Sequence, residues 1–298
     1  LRDDDGDGFA DESILYHVGM DRPHGIIWDD DKLYVAEPSQ LLELRDTNHD
    51  NQVDQVRVIV GGLPDDGGHW ARSIVQGNDG FIYLAVGSRC NACEEKHPQR
   101  ATVLKVNPVT GKTVIFARGL RNTIGLAFAP DGDILWGTDI GRTGLRGQLP
   151  PDEINQISVA GDYGWPFCYG QQLVDPAFVA ADRCANTVAS SIDLAAGSGP
   201  MGITFGAGLN APEPYRNSLY VALHGSADDG SVTSGKLIRI PYQEQNIDRH
   251  GEEFLRGLQV TGNSWWTPVA VIVGIDGHLY VSDDQAQAIY RIRWQQAE

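Results

Sequence analysis

Short apolar runs alternate with polar turns along the whole chain, and no segment between them carries a helical period. A turn followed by an aromatic-rich strand recurs five times. It is written as Asp31-Lys32-Leu33-Tyr34-Val35, Asp79-Gly80-Phe81-Ile82-Tyr83-Leu84 and Asp131-Gly132-Asp133-Ile134-Leu135-Trp136, then as Arg216-Asn217-Ser218-Leu219-Tyr220-Val221 and Asp276-Gly277-His278-Leu279-Tyr280-Val281. An apolar strand such as Gly25-Ile26-Ile27-Trp28 or Gly125-Leu126-Ala127-Phe128 precedes each phrase, and another such as Leu41-Leu42-Glu43-Leu44 or Lys236-Leu237-Ile238-Arg239-Ile240 follows it. Asp-Gly favours hairpins because both residues tolerate positive φ.

A second repeat overlies the first. Leu1-Arg2-Asp3-Asp4-Asp5-Gly6-Asp7-Gly8 recurs as Leu44-Arg45-Asp46-Thr47-Asn48-His49-Asp50-Asn51, and Asp11 recurs as Asp54. Both copies run on to a histidine, His24 and His69. One three-strand phrase recycled at even spacing predicts an all-β chain, a β-propeller rather than a sandwich, as a single domain over 1–298. Leu44-Arg45 ends a unit, so Leu1-Arg2 reads as the end of another. The prediction is therefore a six-bladed β-propeller with one blade largely missing from the N-terminal end of the chain; a five-blade ring is the alternative.

Composition sharpens this picture at three points. The chain holds 23 Lys and Arg against 40 Asp and Glu, a net charge of −17. Such a balance argues against nucleic acid, which needs concentrated cations, and the clustering of the acids in turns points to bound metal. No apolar run approaches the ~18 residues of a membrane span. Cys90 and Cys93, and Cys168 and Cys184, suit two local disulfides and an oxidising compartment, periplasmic or secreted. The rival for Cys90-Asn91-Ala92-Cys93 is a redox or zinc motif, but it follows the strand Phe81–Val86 rather than opening a helix. The chain opens at Leu1-Arg2-Asp3 without a signal peptide, as a mature or trimmed form would.

The candidate chemistry lies in four places. Asp3, Asp5, Asp7 and Asp11, and again Asp46, Asn48, Asp50 and Asp54, have the alternate spacing that curls carboxylates around a hard cation. The twelfth positions hold Ile14 and Arg57, so these are calcium loops without an EF-hand frame, with a structural role of pinning links between blades. His69 precedes an inner strand, where a neutral imidazole could take a hydroxyl proton; His24 holds the matching place one unit earlier. Arg121-Asn122 combines a rigid guanidinium fork with an amide. Gly147-Gln148-Leu149-Pro150-Pro151-Asp152-Glu153 is a restricted loop whose carbonyls could coordinate an ion, with Asp152 and Glu153 tying it to the next strand.

The phrases Arg22-Pro23-His24-Gly25, Gly87-Ser88-Arg89-Cys90, Gly119-Leu120-Arg121-Asn122, Leu149-Pro150-Pro151-Asp152-Glu153-Ile154-Asn155, Asp162-Tyr163-Gly164-Trp165-Pro166 and Leu279-Tyr280-Val281-Ser282-Asp283 occur in that order. With them the chain resembles the soluble pyrroloquinoline quinone (PQQ)-dependent glucose and sorbosone dehydrogenases, and the cysteine pairs fit the sorbosone-dehydrogenase-like branch. The resemblance implies an oxidoreductase that oxidises an aldose or related sugar by hydride transfer to PQQ. It makes His69 the general base and assigns Arg121, Asn122 and His224 to PQQ. It assigns the backbone carbonyls of Gly147 and Gln148 to an active-site calcium. Members usually carry an Arg in the stretch matching Trp265-Trp266-Thr267-Pro268-Val269, and this chain has none there; Trp265 and Trp266 are candidates to stack on a flat ring or a sugar face. The implied partners are a sugar and an electron acceptor such as a cytochrome c or a quinone. The alternatives are a calcium-dependent lactonase, which would need carboxylates at the inner strand starts, and a non-enzymatic carbohydrate- or protein-binding propeller that has lost PQQ.

Overall fold

Tight polar turns fold each apolar phrase back on itself, so consecutive strands pair antiparallel in chain order. Gly80 and Gly277 sit in such turns at φ 76° and 75°, a region that L side chains avoid. The computed structural model describes residues 1–130, 132–145, 150–178, 182–225, 235–243, 246–256 and 266–295.

The described strands form five blades. Blade one is β1 (Ile26–Asp29), β2 (Lys32–Glu37), β3 (Gln40–Arg45) and β4 (Gln55–Gly61). Blade two is β5 (Ile74–Gln76), β6 (Ile82–Val86), β7 (Thr102–Val106) and β8 (Thr113–Arg118). Blade three starts with β9 (Thr123–Phe128), β10 (Leu135–Asp139) and β11 (Asp152–Ile157). An excursion follows, carrying the hairpin β12 (Cys168–Tyr169) and β13 (Leu173–Val174), before β14 (Ile192–Leu194) pairs with β11. Blade four is β15 (Pro200–Phe205), β16 (Ser218–Leu223) and β17 (Lys236–Gln243), with β18 (Asn246–Ile247) and β19 (Glu252–Arg256) both on β17. Blade five is β20 (Pro268–Val273), β21 (Leu279–Asp283) and β22 (Ala288–Ile292).

Successive blades stack face to face, which is why the middle strands read as continuous apolar runs. Tyr34, Ala36, Leu41, Ile74, Ile82 and Leu84 fill the space between blades one and two. Tyr83, Val103, Leu126 and Leu135 do so between two and three, Trp136, Ile154, Ile203 and Val221 between three and four, and Tyr220, Leu237, Val271 and Leu279 between four and five. The remaining face of blade one, Val35, Leu42 and Leu44, packs against Met20 of the N-terminal segment. That segment also reaches blade five, where Arg291 pairs with Asp3 at 3.4 Å.

The meander sorts the loops between two rims. Residues preceding each inner strand and residues following each second strand come to one rim: His69 before β5, Asn122 before β9, Ser88 after β6, His224 after β16. Turns joining third to fourth strands come to the opposite rim. The turn Asp46–Asp54 is one of these: it joins β3 to β4 inside blade one and so does not pin one blade to the next, contrary to expectation. Both expected disulfides, Cys90–Cys93 and Cys168–Cys184, are formed.

Candidate active site

His69 is approached by two oxygens of one residue. Its Nδ1 lies 2.9 Å from the Ser88 carbonyl and 2.7 Å from Ser88 Oγ. Ser88 Oγ donates its own hydrogen to the Cys90 carbonyl at 2.9 Å, so it has none left for the imidazole. Nδ1 must therefore carry the proton, and Nε2 is left as a lone-pair acceptor. Burial first, then the charge of Arg121, pushes the imidazole from the ordinary 6.5 down to about 4; the Ser88 bond opposes this, and Arg100 and Arg72 add to it. His69 is thus neutral at physiological pH.

Three buried guanidinium groups surround it. Arg72 is fully buried and donates only to carbonyls: Pro38 at 3.1 Å, Pro64 at 2.6 Å, His69 at 3.0 Å and Ala71 at 3.1 Å. Arg100 bonds the Gly87 carbonyl at 3.2 Å and pairs with Asp66 at 2.9 Å. Arg121 sends Nε to the Asn91 carbonyl, Nη2 to Asn91 Oδ1 and Nη1 to the Ile140 carbonyl, each at 2.9 Å. Burial lowers Arg72 and Arg121 to about 10, so both stay charged at neutral pH. In a chain of net charge −17, the three concentrate positive charge around the imidazole.

Asn122 lies beside the base. A Cβ added to Gly87 would meet His69 Cβ at 2.7 Å and Asn122 Oδ1 at 2.9 Å, so Gly87 is what lets the two approach. Asn122 Oδ1 is buried without a hydrogen-bond partner. The segment is fixed from below by Asp139, whose carboxylate accepts from the main-chain N–H of Arg121 at 2.8 Å and of Asn122 at 2.6 Å, and from Thr123 Oγ1 at 3.2 Å. Burial, and then the neighbouring Glu153, push Asp139 up to about 7. Asp152 ties the rim together as expected, accepting from the N–H of Gly141 at 2.8 Å and of Gly199 at 2.9 Å.

The other sequence candidates fall elsewhere. His224 is on the same rim, but its Nε2 sits 3.3 Å from the Asp284 carboxylate. Gly147, Gln148 and Trp265 lie outside the described residues. Trp266, partly buried, packs between blades four and five and meets the Tyr290 ring edge-on at 6.5 Å. His24 differs from His69 in its surroundings: Nδ1 faces the Arg72 carbonyl at 3.3 Å and its ring stands edge-on to Trp70. Trp70 itself, adjacent to His69 and 36% exposed, was given no role from the sequence, nor were Arg72, Asn91 and Asp139.

On the opposite rim, one carboxylate oxygen from each of Asp3, Asp5 and Asp11 lies within 4.8 Å of the others. The second acidic turn has the same internal bonds. Asp3 accepts from Gly8 N as Asp46 does from Asn51 N, and Asp11 from Asp4 N as Asp54 does from Thr47 N. Gly6 and Gly8 at positive φ are matched by His49 and Asn51.

Residues 1–160 match the family described as Domain of unknown function (DUF7133). An uncharacterized protein of Borreliella burgdorferi is 28% identical over 294 residues, covering 93% of this chain and 76% of its own. Among solved structures, the holo form of the pyranose dehydrogenase PQQ domain from Coprinopsis cinerea superposes with a TM-score of 0.71 at 19% identity, covering 91% of this chain and 81% of its own. The calcium structure of the Trichoderma reesei carbohydrate-active enzyme of family AA12 gives 0.73 at 17% identity, covering 89% and 79%. At these identities the likeness is one of fold.

Proposed function

The chain belongs to the family described as domain of unknown function DUF7133, and we propose that it is a PQQ- and calcium-dependent dehydrogenase of sugars, with His69 as general base. The single observation that carries this reading is the pairing of a neutral imidazole, its Nε2 free to accept a proton, with the Arg72 and Arg121 guanidinium groups, held by carbonyl oxygens rather than carboxylates. The fold neighbours, one a pyranose dehydrogenase PQQ domain, support the same class of chemistry.

The donor set suits an aromatic polycarboxylate. Arg121 spends three of the five guanidinium N–H groups on the described residues and retains the rest for a carboxylate. The buried and unpartnered Asn122 Oδ1 calls for a donor or a cation. His224 remains a proposed ligand contact, with its Nε2 facing the Asp284 carboxylate. PQQ supplies the two-electron acceptor, with calcium polarising it. Gly147 and Gln148 remain the proposed carbonyl ligands of that calcium. His69 Nε2 takes the hydroxyl proton of the sugar, while the Ser88 carbonyl stabilises the imidazolium that forms through Nδ1–H. Trp70 offers the sugar an aromatic face beside the base.

The acidic turns of Asp3, Asp5, Asp7 and Asp11 and of Asp46, Asn48, Asp50 and Asp54 are proposed structural calcium sites. The Arg2 to Glu12 bridge repeats the Arg45 to Gln55 pairing of blade one, which supports residues 1–20 as part of a sixth blade. The two disulfides support a periplasmic or secreted protein. The test is direct: protein supplied with PQQ and calcium should bind PQQ in an absorbance titration and reduce a dye with at least one of a panel of aldoses. Failure of both would remove the proposal.

A further inference from the structure

The base and the cation of the site rest on the same short loop. Residues 90–93 are closed into a ring by the Cys90–Cys93 disulfide. The Cys90 carbonyl takes the Ser88 hydroxyl hydrogen, and this leaves Ser88 Oγ as a second acceptor for the His69 Nδ1–H beside the Ser88 carbonyl. The next residue, Asn91, takes two of the three described hydrogen bonds of Arg121, one on its carbonyl and one on Oδ1. Asn91 is in turn anchored to Thr143, donating from Nδ2 to its carbonyl at 3.0 Å and accepting from its N–H at 3.0 Å. The main chain closes the circuit, because Ser88 N donates to the Arg121 carbonyl at 2.8 Å. All of Asn91's acceptors are neutral. A carboxylate in its place would hold the guanidinium equally well but cancel the charge that an anionic ligand needs.

We propose that Asn91, held by the Cys90–Cys93 crosslink, is a positioning residue: it aims Arg121 without neutralising it, while the same loop holds Ser88 Oγ as a second acceptor on the His69 Nδ1–H. The disulfide is then part of the site's preorganisation rather than a general brace. The assignment of a quinone ligand rests on the function proposed above; the positioning role does not.

Two variants and one control separate these. The variants are Asn91→Ala and the double change Cys90→Ser with Cys93→Ser; the control is Cys168→Ser with Cys184→Ser. Nitrogen-15 NMR of the apo-protein reads the His69 tautomer. The wild type and the control should show the same Nδ1–H resonance, and the Cys90/Cys93 variant an Nδ1–H proton moved upfield by the loss of its second acceptor. PQQ titration should show about a tenfold loss of affinity in Asn91→Ala, the scale of one hydrogen bond to a charged group, at an unchanged melting temperature and an unchanged His69 tautomer. A wild type that binds no PQQ sinks the dehydrogenase reading alone; Arg121 is then read with inorganic phosphate in place of PQQ, with the same tenfold expectation. An unmoved Nδ1–H resonance in the Cys90/Cys93 variant, or anion affinity in Asn91→Ala equal to wild type, overturns the positioning role.

Discussion

Asp139 and Glu153 stand directly opposite each other on β10 and β11, and both side chains are buried. Burial, and then Glu153, push Asp139 up to about 7; burial raises Glu153 as well, with Asp193 and Asp152 adding to it. A carboxyl with a raised pKa keeps its proton in the folded state after the unfolded chain has lost it. The stabilisation it gives is complete below the unfolded value of 3.8 and is lost as pH rises through 7. Through Asp139 alone the wild type should therefore lose melting temperature between pH 4 and pH 7, against the opposite contribution of His69. Asp139→Asn should flatten that slope, at the cost of loosening the Arg121-Asn122 turn. Thermal melts of both proteins across that range decide it.

His69 titrates in the opposite sense. Its folded value of about 4 lies below the ordinary 6.5, so the base remains neutral well into acid. The acidic limb of kcat/KM should fall near pH 4 rather than near 6.5. As pH drops through that window, the unfolded imidazole gains a proton the folded one refuses, so stability falls with it. His69→Gln should lower kcat by about 10²–10⁴-fold, the usual weight of a general base, with a melting temperature close to wild type.

Gly87 gives a test by steric displacement. An alanine there would put a methyl carbon 2.7 Å from His69 Cβ and 2.9 Å from Asn122 Oδ1. Gly87→Ala should shift both groups and lower kcat by roughly a hundredfold, because small displacements of reacting groups cost about that much. Circular dichroism should report an intact sheet. Wild-type kinetics in this variant would mean that the two groups do not work together.

The acidic turns predict a separable response. Calcium should raise the melting temperature of the wild type, and a chelator should reverse the rise. Asp3→Asn with Asp11→Asn should remove part of the rise, and Asp46→Asn with Asp54→Asn the remainder. A melting temperature indifferent to calcium would retire both sites.

The Cys168–Cys184 bridge closes an excursion of 16 residues. Replacing both cysteines by alanine should cost about 3 kcal/mol of stability, the chain-entropy value for a loop of that size. Calorimetry of the double variant measures it, and the kinetic constants should stay as they are.

Much of this was legible in the chain. The five phrases mark the blades because a propeller repeats one local rule, turn then apolar strand, and local rules are written in sequence. The disulfides were legible for the same reason, since each pair is close in the chain. His69 and His24 were not distinguishable by position; the difference is Ser88, which reaches His69 only after β6 returns to the rim. Asp139 was passed over because its function is to accept N–H groups from residues 17 and 18 positions earlier, and such contacts leave no local pattern. Arg72 was passed over because buried arginines are uncommon, and only the fold supplies the four carbonyls that hold it. The role of the acidic turn as a link between blades was misread because its two ends belong to one sheet.

The acidic turns and His69 occupy opposite rims of the disc. Under the proposed function, selection can adjust dependence on external metal at one pole while leaving turnover at the other untouched. An assembly that docks through the turn-bearing side would keep the mouth open to substrate and to whatever carries electrons away.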